Sequence, residues 1–150
     1  MNRELSLSRL IRAPRERLYR AWTTPDLLKQ WFTPRPWTTP VVELDVRAGG
    51  SSYILMRGPD GNEFPNRGVY LEVVPNEKLV FTDAYTEAWV PTDKPFMTGI
   101  ITFSDEDGGT RYTARALHWT DADCAAHEQM GFHEGWGKAT DQLEALVLNR

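Results

Sequence analysis

The sequence predicts an α+β domain of two layers, a seven-stranded antiparallel sheet curled against one long C-terminal helix. Three observations carry this. Between residues 41 and 119 short apolar runs alternate with Gly, Pro, Asn and Asp clusters, the punctuation of hairpins. From residue 120 the apolar period changes from two to that of a helix and stays so to the C-terminus. The 150 residues show no repeat, low-complexity tract or composition shift, so a single domain spans residues 1–150 and is large enough to bury a core of its own.

The elements follow in order. ELSLSRLIR (4–12) is a strand, with Leu5, Leu7 and Ile11 in phase and Arg9 breaking the pattern. Pro14 suits the first position of a short helix, Glu16 its first turn, and Leu18, Ala21 and Trp22 share a face. Thr24 caps a second short helix that begins with Pro25, carries Leu27, Leu28 and Trp31, and ends at TPRP. VVELDVR, YILMR, GVYLEVV, LVFTDAY, GIITFSD and TRYTARALHW then read as six successive strands of a meander. In the last segment Thr120 caps, Asp123 occupies the capping-box position, and Ala125, Gln129, Phe132, Trp136, Ala139, Leu143 and Leu146 form one stripe.

That helix contains GFHEGWG (131–137), and each glycine in a helix interior costs about 1 kcal/mol relative to alanine. Gly131, Gly135 and Gly137 therefore need a reason. Either they leave room for a ligand beside the helix, or they allow the helix to pack closely on the sheet with none.

Composition excludes several classes. With 17 basic against 21 acidic residues the formal charge is −4, which offers no basic face for nucleic acid or an anionic membrane. MNRELSLSRL lacks the apolar run of a signal peptide and no stretch is long enough to insert in a membrane, so a cytoplasmic location is expected. A single cysteine, Cys124, permits no internal disulfide; the acidic Asp121 and Asp123 beside it argue against a thiolate nucleophile.

Across residues 8–148 the order RLIRAPRERLYRAWTTPDLLKQWF, DVRAGGSSYILM, PDGNEFPNRGVYLEVVPNEKLVFT, TFSD before GGT, and GW followed by LEAL resembles a known family. It is that of the bacterial proteins related to the C-terminal domain of the activator of heat-shock protein 90 ATPase, within the START-like (SRPBCC) superfamily. The resemblance implies a helix-grip fold: a seven-stranded sheet around the C-terminal helix, two short helices after strand 1 closing one end, and a deep cavity between sheet and helix. It leaves function open, because members of this superfamily include carriers, cyclases and co-chaperones.

Within that frame the expected cavity lining is Trp136, Phe132, Gln129 and His133 from the helix, with His118, Tyr112, Phe81, Asp83, Tyr85 and Trp89 from the sheet and its loop. His118 alternates in phase with Tyr112, Ala114 and Ala116, and the two alanines would leave space above the sheet. Asp83 and Tyr85 share the phase of Phe81, and Arg57 that of Tyr53 and Leu55. Any of these polar groups could orient a ligand head, or be solvated or ion-paired. TEAWVPTDKPFM, with Trp89, Phe96 and Met97, reads as a lid or as an ordinary edge connection, and WFTPRPW as the closure of the other side. His127 and His133 lie six apart, about 240° round a helix, so they diverge and no metal site is expected. No complete set of catalytic roles, phosphate loop or cofactor motif is recognisable.

The leading expectation is a monomer or weak dimer that binds a small apolar or amphipathic molecule. An enzyme of the cyclase or hydrolase type, using His118 with Asp83 or Tyr85, is the first alternative. A co-chaperone acting on a chaperone partner is the second, suggested by the family name alone; the separate N-terminal domain of the eukaryotic activators is not expected here.

Overall fold

Local turn chemistry builds the sheet. In the computed structural model, which describes residues 3–87, 90–93 and 95–148, the elements are β1 (Glu4–Ile11), α1 (Arg15–Thr23), α2 (Pro25–Leu28), β2 (Thr38–Leu44), β3 (Ser51–Arg57), β4 (Glu63–Val74), β5 (Lys78–Thr82), β6 (Tyr85–Glu87), β7 (Val90–Pro91), β8 (Met97–Glu106), β9 (Gly109–His118), α3 (Asp121–Gln129) and α4 (Phe132–Leu148). Asp107 and Gly108 both take positive φ, 49° and 79°, the conformation a two-residue hairpin turn demands between β8 and β9. Seven strands form one antiparallel sheet in the order β1-β9-β8-β5-β4-β3-β2. The N-terminal strand pairs with the last one, from Glu4 opposite Leu117 to Ile11 opposite Thr110.

The inward face carries the aromatic content. Trp22 of α1 donates its Nε1 proton to the Tyr112 hydroxyl at 3.1 Å and meets Trp31 at 5.0 Å and Phe81 at 5.8 Å between ring centroids. Leu18, Leu28, Leu79, Ile101 and Leu143 complete a core in which each is almost fully buried. Buried indole and phenol groups need partners, and Trp31 finds one in the Ala21 carbonyl.

Polar contacts then fix α4 on this core. Arg9, the residue that interrupts the apolar alternation of β1, faces inward and donates to Asp141 at 2.6 Å and Glu144 at 3.5 Å. Gln142 donates to the Trp31 and Thr33 carbonyls and accepts from the Arg35 amide, tying the helix to the segment after α2.

The helix-grip architecture is present, with five corrections to the elements. The C-terminal helix is two helices: Thr120 does cap the first, its hydroxyl accepting from the Asp123 amide, but Gly131 at φ +92° ends it and restarts the chain as α4. The stripe therefore breaks, Ala125 and Gln129 are exposed, and no residue of α3 is buried. β5 stops at Thr82, so Asp83 and Tyr85 do not continue the alternation of Phe81. Part of the expected irregular loop pairs as the small ribbon β6–β7. At the other end, Pro14 is the cap of α1 rather than its first residue, and α2 ends before Trp31.

Candidate functional site

The register sets rows of residues across the inner face. Leu5, Ala116, Gly99, Phe81 and Tyr70 lie opposite one another from β1 through β9, β8 and β5 to β4. Small residues in this row are covered by large ones, from within the row or from α4. The Phe81 ring lies across Gly99, where an added Cβ would fall 2.5 Å from it. Phe132 of α4 packs on Leu5 and Ala116. The space expected above the alanines thus accommodates the helix.

One row further out, His118 at the end of β9 stands opposite Met97. It is 7% exposed and both ring nitrogens are bonded: Nδ1 to the Arg3 carbonyl at 2.8 Å, Nε2 to Nδ1 of His127 on α3 at 2.8 Å. A carbonyl only accepts, so Nδ1 of His118 carries a proton. In the neutral ring Nε2 is then the acceptor, and His127 donates from its own Nδ1. Burial, and secondly the charge His118 can carry, pushes the His127 pKa down to about 4, so this ring is neutral at pH 7.

Aromatic rings surround the pair. Phe96 stands 5.5 Å from His118 and 5.1 Å from His127, Phe132 5.1 Å and Trp136 6.1 Å from His127. Phe132 and Trp136 stack at 4.8 Å. Asp83 positions Phe96 from the opposite side: its Oδ1 accepts from the backbone amides of Phe96 and Met97 at 2.9 and 3.1 Å.

Trp136 belongs both to this cluster and to the main core, and it is only half-buried. Phe32, Ile54 and Phe81 are likewise packed against the core yet partly open to solvent. These apolar side chains line the inner side of the sheet and α4 without being fully covered. Gly135 sits one turn N-terminal to Ala139, and a Cβ there would meet nothing within 4 Å. Gly137 lies about 200° further round the helix, so the two glycines do not open onto one space.

The ten expected lining residues divide accordingly. His118, Phe132 and Trp136 come together around His127, while Phe81 lies on Gly99 and packs on Trp22 of the main core. Asp83 acts on the backbone beside them. Tyr112 is a core residue; burial pushes its phenol pKa far up and Trp22 is its partner. Gln129 and His133 are exposed, because the turn at Gly131 separates α3 from the buried stripe of α4. Tyr85 lies on the β6–β7 ribbon, and Trp89 lies outside the described residues. Arg57 pairs with Glu63 at 2.6 Å on the surface. Cys124 touches the cluster, and burial followed by the charges of Glu128 and Asp121 raises its pKa, against a thiolate role.

His127 is the residue the sequence reasoning missed. It was weighed as a metal ligand, and among the described residues no three His, Cys, Asp or Glu side chains form a group that could hold a metal ion. The signal that pairs it with His118 is three-dimensional: the short turn from β9 into α3 folds residue 127 back over the strand end. A groove of about 540 Å³ lies around Glu43, Tyr53 and Arg67, which pair across β2, β3 and β4 one residue out of phase with Ile54 and so face the other side of the sheet. Arg67 stacks there on Tyr53 at 4.2 Å.

A seven-stranded antiparallel sheet with a long C-terminal helix packed on it defines the class of START-like helix-grip domains. The chain belongs to the family of Activator of Hsp90 ATPase homolog 1-like proteins, whose family model matches residues 12–147. It is similar to a crystal structure from Nitrosomonas europaea, at 42% identity over 97% of this chain and 94% of that one, with a TM-score of 0.94. It is also similar to a Mycobacterium smegmatis protein, at 29% identity, 96% and 90% coverage and TM-score 0.82. A Chromobacterium violaceum protein matches at 28% identity, 96% coverage of both chains and TM-score 0.80. No curated protein matches the chain.

Proposed function

We propose that the protein binds a small apolar or amphipathic molecule in the cleft between the sheet and α4. One observation carries the reading: Phe32, Ile54, Phe81 and Trp136 face inward against the core and still remain partly open to solvent. A fold that needed these side chains for stability alone gains most by burying them fully, since affinity and stability both scale with apolar area removed from water, at roughly 25 cal/mol per Å². A ligand that covers them would gain that area, less its association cost.

The acid–base reading of His118 receives no comparable support. Both its nitrogens are engaged by Arg3 and His127, and Asp83 bonds backbone amides instead of the imidazole. Among the described residues no helix is long and apolar enough to cross a membrane.

Native mass spectrometry of the protein purified from its own host, followed by extraction, tests the proposal. A small molecule at unit stoichiometry supports it and identifies the ligand class. A bare chain that also fails to bind a panel of apolar aromatics removes it. A chaperone partner, the reading the family description prompts, is tested by pull-down with the host's own chaperone.

A further inference from the structure

His127 has one ring nitrogen that the fold does not use. The Arg3 carbonyl places a proton on Nδ1 of His118; where that ring carries no second proton, its Nε2 accepts and the proton of His127 lies on Nδ1. Nε2 of His127 is then a bare acceptor on the side of the ring away from His118. Among the described residues no hydrogen bond reaches it. The imidazole as a whole is surrounded by Phe96, Phe132 and Trp136, three rings that offer shape and apolar area without a donor, apart from the Trp136 indole.

We propose that Nε2 of His127 is the polar subsite of the cleft, and that it selects ligands carrying a hydroxyl or N–H donor, without negative charge, on an aromatic-sized apolar body. The inference rests on the ligand-binding reading above and specifies its chemistry. An anionic head is unfavourable for two reasons. The unprotonated Nε2 of His127 presents no donor, and the acidic groups of α3, Asp121, Asp123 and Glu128, stand on the same short helix. Arg3, the basic residue at this end, is engaged by Asp121 at 3.1 Å and by the Trp119 carbonyl at 2.6 Å. The depressed pKa of His127 agrees with an acceptor that stays unprotonated near neutrality. His118 is a positioning residue in this scheme: by accepting from Nδ1 it fixes which nitrogen of His127 is left open.

The test uses three matched probes, 2-naphthol, 2-methoxynaphthalene and 2-naphthoate, titrated into the whole chain at pH 7.5 with Trp fluorescence and calorimetry. A net hydrogen bond is worth about three- to tenfold in affinity. The expected result is that 2-naphthol binds three- to tenfold more tightly than the ether, that the naphthoate binds most weakly, and that the naphthol-to-ether ratio collapses to about one in His127→Phe. Because that variant can disturb packing, 15N correlation spectra of wild-type histidine give a second reading: Nδ1 of His127 is protonated, and the Nε2 resonance moves with naphthol and not with the ether. Equal binding of naphthol and ether, or an unchanged ratio in His127→Phe, overturns the subsite while leaving the cleft intact. If no probe binds, the cleft reading falls and the subsite with it.

Discussion

His118 at the end of β9 and His127 in the last turn of α3 are joined Nε2 to Nδ1 at 2.8 Å, and this bond ties α3 to the sheet. It is a polar contact inside an aromatic cluster, so its protonation state matters to both stability and recognition.

Acid should loosen this junction. The folded-state pKa of His127, about 4, lies below the ordinary value of 6.5, so between these limits the unfolded chain binds the extra proton. The contribution is therefore fully present above pH 6.5 and is lost as the pH falls towards 4. At face value the shift is about 3 kcal/mol, and partial exposure reduces it to roughly 1–2 kcal/mol. Urea unfolding at pH 7.5 and 4.5 should show that loss in the wild type and a smaller one in His127→Phe. An equal loss in both would assign acid sensitivity to the carboxylates instead.

Gly131 and Gly135 should respond oppositely to alanine. Gly131 has φ +92°, so an L side chain there is strained by about 1–2 kcal/mol. Gly135 is helical with open space beside it, so alanine should stabilise by up to about 1 kcal/mol through helix propensity. Thermal or urea melts of the two variants measure the signs directly. Destabilisation by Gly135→Ala would mean that α4 needs close approach there and that the cleft does not reach it.

Phe132 and Trp136 stack, yet their substitutions should separate stability from binding. Phe132 is 1% exposed, and Phe132→Ala should cost about 3–5 kcal/mol. Trp136 is half-buried at the cleft, so Trp136→Ala should cost less stability and more probe affinity. Unfolding free energies and 2-naphthol titrations of both variants check this.

Much of the fold was legible because its signals are local. The turn residues, the period change at Thr120 and the Thr24–Pro25 and Thr120–Asp123 start signals each act over a few residues, and all seven sheet strands followed from them. Gly131 was misread because a glycine between two helical patterns looks the same in sequence whether it sits within a helix or caps one. Once it is a cap, Gln129 and His133 leave the buried stripe, and the expected site changes with them. Arg9 looked like a flaw in β1 until its partners Asp141 and Glu144 on α4 were in place. Asp83 was assigned to a ligand on strand phase, but β5 ends one residue before it and the carboxylate holds the Phe96 backbone. The His118–His127 bond depends on the turn between β9 and α3, which no period in the chain records.

The central claim is that ligand occupies the inner cleft, and amide shift mapping with 2-naphthol tests it most directly. The account predicts perturbations that cluster at Phe81, Gly99, His127, Gly135 and Trp136. Perturbations confined to the outer groove at Glu43, Tyr53 and Arg67, or none at saturating probe, would contradict it.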